Sequence, residues 1–439
     1  MFKKLTGVAV AVLIATTGPA LAEKQFDGVK LRVLATKQAW SDTIEKLAAK
    51  FTEETGATVQ FDQFSFGQAV QKITIELTTK SSAYDLVFVS GSDVAQYTPG
   101  GFLEPLSAHL GNRDIVKNDP NLADFIPATL RLFQDSDGEQ YALPHFAATQ
   151  IMFYNADKLK AAGFDKPPAT WAELYDYCGK LASPGNPCTA MRGKPSVSEN
   201  MWYYSQMMYG YGGRFFKDYP NDMTPTVNSA GAVEAAELYA KLLNDFGIPG
   251  SVSAGFDEVT VAMQQDNVSL VVEGAPLAGR ILDAKLSKVI GKLGFALPPA
   301  GPKGRFAPFA AQGYAINAAS KNKEAAAAFL AWSTSSETMK QVTLDSSFLA
   351  VTRKSVWDDA EFRKKHDYNY GHGSFAAAYE GTLQAGVEWY RLPFPEFKAI
   401  ADRVGLALQE HVVGSKTAQQ ALDDANKDII TILKRASRL

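Results

Sequence analysis

Histidine and cysteine are scarce, with five and two residues among 439. No two histidines stand at metal-ligand spacing, and two thiols without a nearby histidine do not make a metal site. The G-x-S-x-G, H-E-x-x-H and P-loop motifs are missing, and the glycine-rich residues 210–213 follow no clear strand, so a dinucleotide fingerprint is not supported. No cofactor or metal is expected. Beyond the first residues, no run is apolar enough to cross a bilayer. There is no block of Lys or Arg, and the net charge is −3, which argues against nucleic acid or anionic lipid as a partner. A glycosidase stays open, because its two carboxylates can lie far apart in sequence. Paired acids such as Asp358–Asp359 and Asp423–Asp424 fit exposed helix ends better. His109, His366 and His372 are expected on surface loops.

What is present begins at the amino terminus. Lys3 and Lys4 precede an apolar run over residues 5–14, and Ala20, Leu21 and Ala22 follow at A-x-A spacing. This pattern predicts a signal peptide over residues 1–22, cleaved after Ala22. No cysteine stands at that point, so a soluble periplasmic protein without a lipid anchor is expected. Removing residues 1–22 from 439 leaves 417, too many for one ordinary core. Loss of Lys3 and Lys4 takes the net charge from −3 to −5. In an oxidising compartment Cys178 and Cys188 are expected to form a disulfide across the turn-rich residues 183–187.

The early mature region alternates strand and helix: strand 30–35, a helix capped by Ser41 and ended by Gly56, strand 57–61, helix 69–78, strand 85–89. Such an order predicts an α/β, doubly wound and mostly parallel sheet. Ligands on such sheets bind beyond the carboxyl ends of strands, at residues 36–40, 62–66 and 90–93. Helices are predicted at 171–182, 229–246, 323–333, 397–412 and 417–434. Residues 294–314 are rich in Pro and Gly.

Three stretches carry a resemblance. The first is YALPH at 141–145, with QIMFYN at 150–155, LKAAG at 159–163 and PATWAEL at 168–174. The second is AQGYAINAASKNKE at 311–324, followed by Phe329 and Leu330. The third is RLPFPEF at 391–397, with Gly414, Ala421 and Leu422 downstream. Together they resemble the maltose-binding-protein family of extracellular solute-binding proteins, the sugar receptors of bacterial ABC importers. The resemblance implies a two-lobed periplasmic binding fold with a hinge and no catalysis. It places one lobe at residues 23–142 and 307–355, and the other at 143–306 and 356–439. It also implies a small carbohydrate or polyol ligand, permease subunits in the inner membrane as partners, and a monomer.

A sugar offers hydroxyl edges and a weakly apolar C–H face, so its site calls for polar side chains at fixed positions and flat aromatics. Trp40 follows the first strand and is a site candidate, or a core residue of the next helix. Gln63 and Phe64 follow the second strand. Ser90 and Asp93 follow the third, where Asp93 either accepts hydroxyls or caps a helix. His145 lies in the first suspected crossover. Trp202 and Tyr211 are chosen from an aromatic-rich stretch whose spacing also fits core. Gly274, after Glu273 and an apolar run, would let a ligand approach the backbone. Gln312 and Gly313 lie on the second suspected crossing, and Arg353 and Arg391 are possible hydroxyl or carboxylate partners. Where maltose-binding proteins place a stacking tryptophan, this chain has residues such as Ala401, so a mono- or disaccharide, polyol or sugar derivative fits better than a long oligosaccharide. The competing readings are a secreted carbohydrate enzyme, an iron receptor using Tyr203 and Tyr204, and a polyamine receptor.

Overall fold

The computed structural model describes residues 24–439 except 118–119, 347–348, 350, 385–386 and 389. The expected leader, residues 1–22, lies outside the described residues. The chain starts as a doubly wound unit. Strands β1 (Lys30–Thr36), β2 (Thr58–Phe64) and β3 (Leu86–Ser90) pair in parallel, with β1 in the middle. Helix α1 (Ala39–Thr55) buries Trp40, Ile44, Ala48 and Phe51 along one stripe and ends at Gly56, whose φ of 85° suits the left-handed region. Ser41 does not cap this helix, because Gln38 holds the N-cap position. Ser41 sits in the first turn instead, with its hydroxyl 2.7 Å from that of Tyr314. Helix α2 (Phe66–Thr78) starts three residues before the predicted point, at a Ser65–Gln68 capping box. Helix α3 is Gly91–Tyr97.

The second part of the sheet is built on long strands. Strand β4 (Ala142–Asn155) is buried along its whole length. A small hairpin, β5 (Phe216–Asp218) and β6 (Asp222–Pro225), stands apart from the main sheet. Strands β7 (Leu270–Gly274), β8 (Leu293–Ala296) and β9 (Ala307–Ile316) all run antiparallel to β4. The short β10 (Val387–Glu388) pairs in parallel with β9. Among the described strands, parallel pairing between strands is thus limited to the first three and this short addition, with single parallel bridges at Thr170–Ala300 and Thr189–Leu270 besides. The reason is that β4 carries the chain outward and its neighbours bring it back.

Strand β4 serves both halves of the molecule. Its residues 142–149 pair with β9, which also pairs with β3, and its residues 150–155 pair with β7 and β8. Successive side chains point to opposite faces. Met152 and Tyr154 join the core that contains Val33, Phe51 and Phe329, whereas Ile151 and Phe153 join a second core with Phe295 and Tyr379.

The five later helices predicted from the sequence are present as Trp171–Leu181, Ala230–Phe246, Lys323–Ser333, Phe397–Val412 and Ala418–Arg435. Further helices, among them Asn200–Gly210, Phe256–Gln264, Ser336–Asp345 and Phe375–Gln384, were not predicted. Cys178, inside the first of these, is bonded to Cys188, with Cα atoms 5.2 Å apart.

Candidate functional site

The carboxyl ends of β1, β2 and β3 deliver residues 37–39, 65–66 and 90–91 to one wall of a cavity of about 690 Å³. Strands β4 and β9 form its floor through Phe146, Ala148, Phe309, Ala311 and Gln312. The opposite wall comes from the second half: Arg192, Ser198, Glu199 and Trp202 around the start of helix Asn200–Gly210, and Gly274, Pro276 and Leu277 at and beyond the end of β7. Phe256, Arg280, Tyr390 and Arg391 complete it. The volume falls within the range of about 300–1,000 Å³ typical of small-molecule sites.

On the first wall the polar groups are held in a fixed orientation. The Gln38 amide nitrogen donates to Thr36 Oγ1 at 3.0 Å and to Gln312 Oε1 at 2.9 Å. Its carbonyl oxygen accepts from Trp40 Nε1 at 2.9 Å. Gln312 therefore uses its oxygen on Gln38, which orients its amide nitrogen as a donor. Ser90 is pinned by Asp93, whose carboxylate accepts from the Ser90 amide and hydroxyl at 2.7 and 2.8 Å. Burial pushes the Asp93 carboxyl up from its ordinary range, against the opposing pull of those two bonds and of the Arg391 charge.

On the second wall a buried carboxylate organises everything around it. Glu273 accepts two bonds from Arg192, at 2.8 and 2.6 Å, one from Trp202 Nε1 at 3.1 Å and one from the Gly274 amide at 2.6 Å. Burial pulls the Arg192 guanidinium down in pKa, but the Glu273 charge and hydrogen bonds outweigh this, so it stays firmly protonated. Burial raises the Glu199 carboxyl; Arg192 opposes the rise, and Glu273 adds to it by repulsion. The Trp202 indole packs edge-on against Tyr390 at 5.1 Å, and Arg391 Nη2 donates to Ser198 Oγ at 2.6 Å.

Of the residues singled out from the sequence, Ser90, Trp202, Gly274, Gln312 and Arg391 line this cavity. Asp93 stands behind Ser90 as the third residue of a helix whose cap is Ser90, the reverse of the capping role considered for it. Glu273 is fully buried, is not among the described lining residues, and faces Arg192 and Trp202. The rest lie elsewhere. Trp40 is fully buried and stacks on His145 at 5.6 Å. His145 donates through Nδ1 to the Leu143 carbonyl at 3.1 Å, and burial lowers its pKa to about 3. Gln63 bonds Glu45, and Phe64 lies under Lys72. Tyr211 ends the helix Asn200–Gly210, half-buried against the core. At Gly313 a Cβ would lie 2.0 Å from the Leu143 carbonyl oxygen, so that glycine serves close strand packing. At Gly274 a Cβ would meet nothing nearer than 3.9 Å, so space does not demand glycine there. Arg353 is buried over the Phe125 ring and bonds Asp124 and the carbonyls of Pro120 and Asn121, tying two distant chain segments together.

Gln38, Phe66, Arg192, Glu199, Phe256 and Tyr390 were not singled out. Gln38 and Phe66 fall inside strand-end loops that the β-α-β order marks. Arg192 and Glu199 follow no readable element, and only the fold brings them to the site. Glu199 is the one carboxylate among the described lining residues. Tyr203 and Tyr204 face the core, where Tyr204 donates to the Ala232 carbonyl at 2.8 Å. Among the described residues no cluster of three metal-ligating side chains occurs.

Comparisons with known proteins agree with this architecture. Over 385 residues the chain is 27% identical to a mannitol-binding protein of Pseudomonas aeruginosa, covering 83% of this chain and 84% of that one. An ABC transporter solute-binding protein of Agrobacterium radiobacter, solved with ribitol, superposes with a TM-score of 0.81 at 25% identity, covering 92% of this chain and 98% of its own. A second one, from Agrobacterium vitis with bound D-mannitol, gives 0.79 at 25% identity, over 93% and 99% of the two chains. Residues 36–340 match the model of the bacterial extracellular solute-binding proteins, and this chain belongs to that family.

Proposed function

We propose that the cavity between the two walls captures a small neutral polyol or sugar for an ABC importer. The observation that carries this reading is the charge pairing of the cavity. Arg192 is matched by Glu273 at 2.6 Å and Arg280 by Asp257 at 2.9 Å, while Arg391 feels the Asp93 charge. A ligand therefore meets oriented donors and acceptors, and two of the guanidiniums it meets are already paired with carboxylates. Gln38, Gln312, Ser90, Glu199 and Arg391 serve the hydroxyls. Trp202, Phe66, Phe146, Phe256 and Tyr390 offer flat faces to the carbon chain. The similarity to proteins named for mannitol, or solved with mannitol or ribitol, supports a linear polyol. A polyamine would call for several carboxylates, and a glycosidase for two acids flanking the ligand, where the described lining has Glu199 alone.

In this reading the lobes divide near residues 142/143, 306/307 and 355/356, and bending about β4 and β9 closes them on the ligand. Because the ligand touches both halves, it stabilises the closed form differentially. The mature protein starts after Ala22, works in the periplasm as a monomer without a lipid anchor, and hands its ligand to membrane permease subunits. Thermal denaturation with mannitol, ribitol, a disaccharide, an aldonate and spermidine tests the ligand class. Saturation at 100 times the dissociation constant adds about 2.7 kcal/mol of stability. A response to spermidine or the aldonate alone would overturn the neutral-polyol reading.

A further inference from the structure

A second, smaller cavity of about 90 Å³ adjoins the main one, and four residues line both: Phe66 and Ser90 from one wall, Ser198 and Arg391 from the other. Arg391 therefore stands at the neck between them. It is held there from three sides. Its Nη2 donates to Ser198 Oγ at 2.6 Å, its guanidinium lies 5.0 Å from the centre of the Tyr390 ring, and the Asp93 carboxyl, which lines the small chamber, attracts it. Its Nε is buried without a hydrogen-bond partner. The chamber beyond carries sugar-compatible groups, Gln96, Lys398 and Phe394.

We propose that Arg391 is the specificity-determining residue that sets ligand length: its side chain forms the end wall of the polyol cavity and offers its guanidinium to the terminal hydroxyl. This rests on the polyol reading above. A guanidinium across the neck admits a ligand of monosaccharide size and turns away one whose second ring would need the chamber. Removing the wall joins the two cavities and exchanges one preference for the other. A terminal hydroxyl that reaches the guanidinium gains a charge-assisted hydrogen bond, which favours ligands that end at the neck.

The test is calorimetric titration of the full-length mature protein with D-mannitol and with maltitol, a hexitol carrying one glucosyl ring. The wild type binds mannitol at least about tenfold more tightly than maltitol, and Arg391→Ala lowers that ratio by about tenfold or more, through weaker mannitol binding and stronger maltitol binding. A ratio unchanged in R391A, with both affinities falling together, overturns the proposal, because a general contact behaves that way. Ser198→Ala guards against misfolding of R391A. It frees the guanidinium while keeping its charge, and it is expected to shift the ratio in the same direction by a smaller factor; no shift in S198A overturns the proposal as well. A wild type that binds neither polyol would instead remove the polyol reading itself, a result visible before any variant is made.

Discussion

Replacing Glu273 with glutamine removes the charge at the centre of the second wall while keeping the shape of the side chain. Glu273 has no exposed surface, and the Arg192 side chain it faces is 11% exposed. Its two oxygens accept from Arg192 twice, from Trp202 and from the Gly274 amide. An amide turns one of those oxygens into a donor facing other donors and leaves the guanidinium uncompensated. Breaking one partner of a buried pair costs about 3–5 kcal/mol. Arg192 retains the Ser198 carbonyl at 2.8 Å and Glu199 at 3.5 Å, so a loss near the lower end, about 3 kcal/mol, is expected. Urea denaturation of the ligand-free protein reads this as a lower midpoint at constant m-value. The double variant Arg192→Met with Glu273→Gln removes both charges, and it should lose at least about 1 kcal/mol less than the sum of the single variants. A loss below about 1 kcal/mol in the Gln variant, or strict additivity in the cycle, would refute the reasoning.

Acid should destabilise the protein through its buried histidines before its carboxylates act. His145 titrates near 6.5 when unfolded and near 3 when folded, because burial opposes its charge. The unfolded state therefore binds more protons below 6.5, and stability falls with decreasing pH by up to about 1.4 kcal/mol per unit. His366, lowered to about 4 by burial, adds to the slope. Carboxyls held low by partners, such as Glu104 beside Lys323 and His109, have an ordinary value of 4.5 and act below the window from 6.5 to 4.5. The Asp93 and Glu199 carboxyls, raised by burial, oppose the histidines as pH falls, so the histidine contribution is read as the difference between wild type and variant. His145→Gln should flatten the slope in that window; an unchanged slope would count against it. Reduction of Cys178–Cys188, or its replacement by two alanines, should lower stability by about 2–3 kcal/mol, measured by the same denaturation.

The fold was legible where local rules and tertiary packing agree. The β-α-β-α-β opening, the glycine end of α1 and the C-terminal helices all follow from periodicity and capping chemistry. Ser41 misled because its hydroxyl is used in tertiary packing, bonded to Tyr314 from β9, and no local pattern reveals a partner 273 residues away. The antiparallel surroundings of β4 were equally invisible, since they depend on which distant strands return beside it.

The site divided along the same line. Strand-end loops were readable as loops, so Ser90 and the neighbourhood of Gln38 came from the β-α-β order alone. Within those loops the prominent residue was not the exposed one: Trp40 is buried and instead supplies the N–H that orients Gln38, which in turn orients Gln312. Glu273 stands in the same relation to Trp202 and Arg192. Large aromatics and charged residues near a strand end are conspicuous in a sequence because they are chemically expensive to place. In this molecule that expense goes into fixing the direction of smaller polar groups at the surface of the cavity. A preorganised wall loses less conformational entropy on binding than a mobile one. The residues that hold the wall should therefore weaken ligand affinity when altered, without touching the ligand themselves.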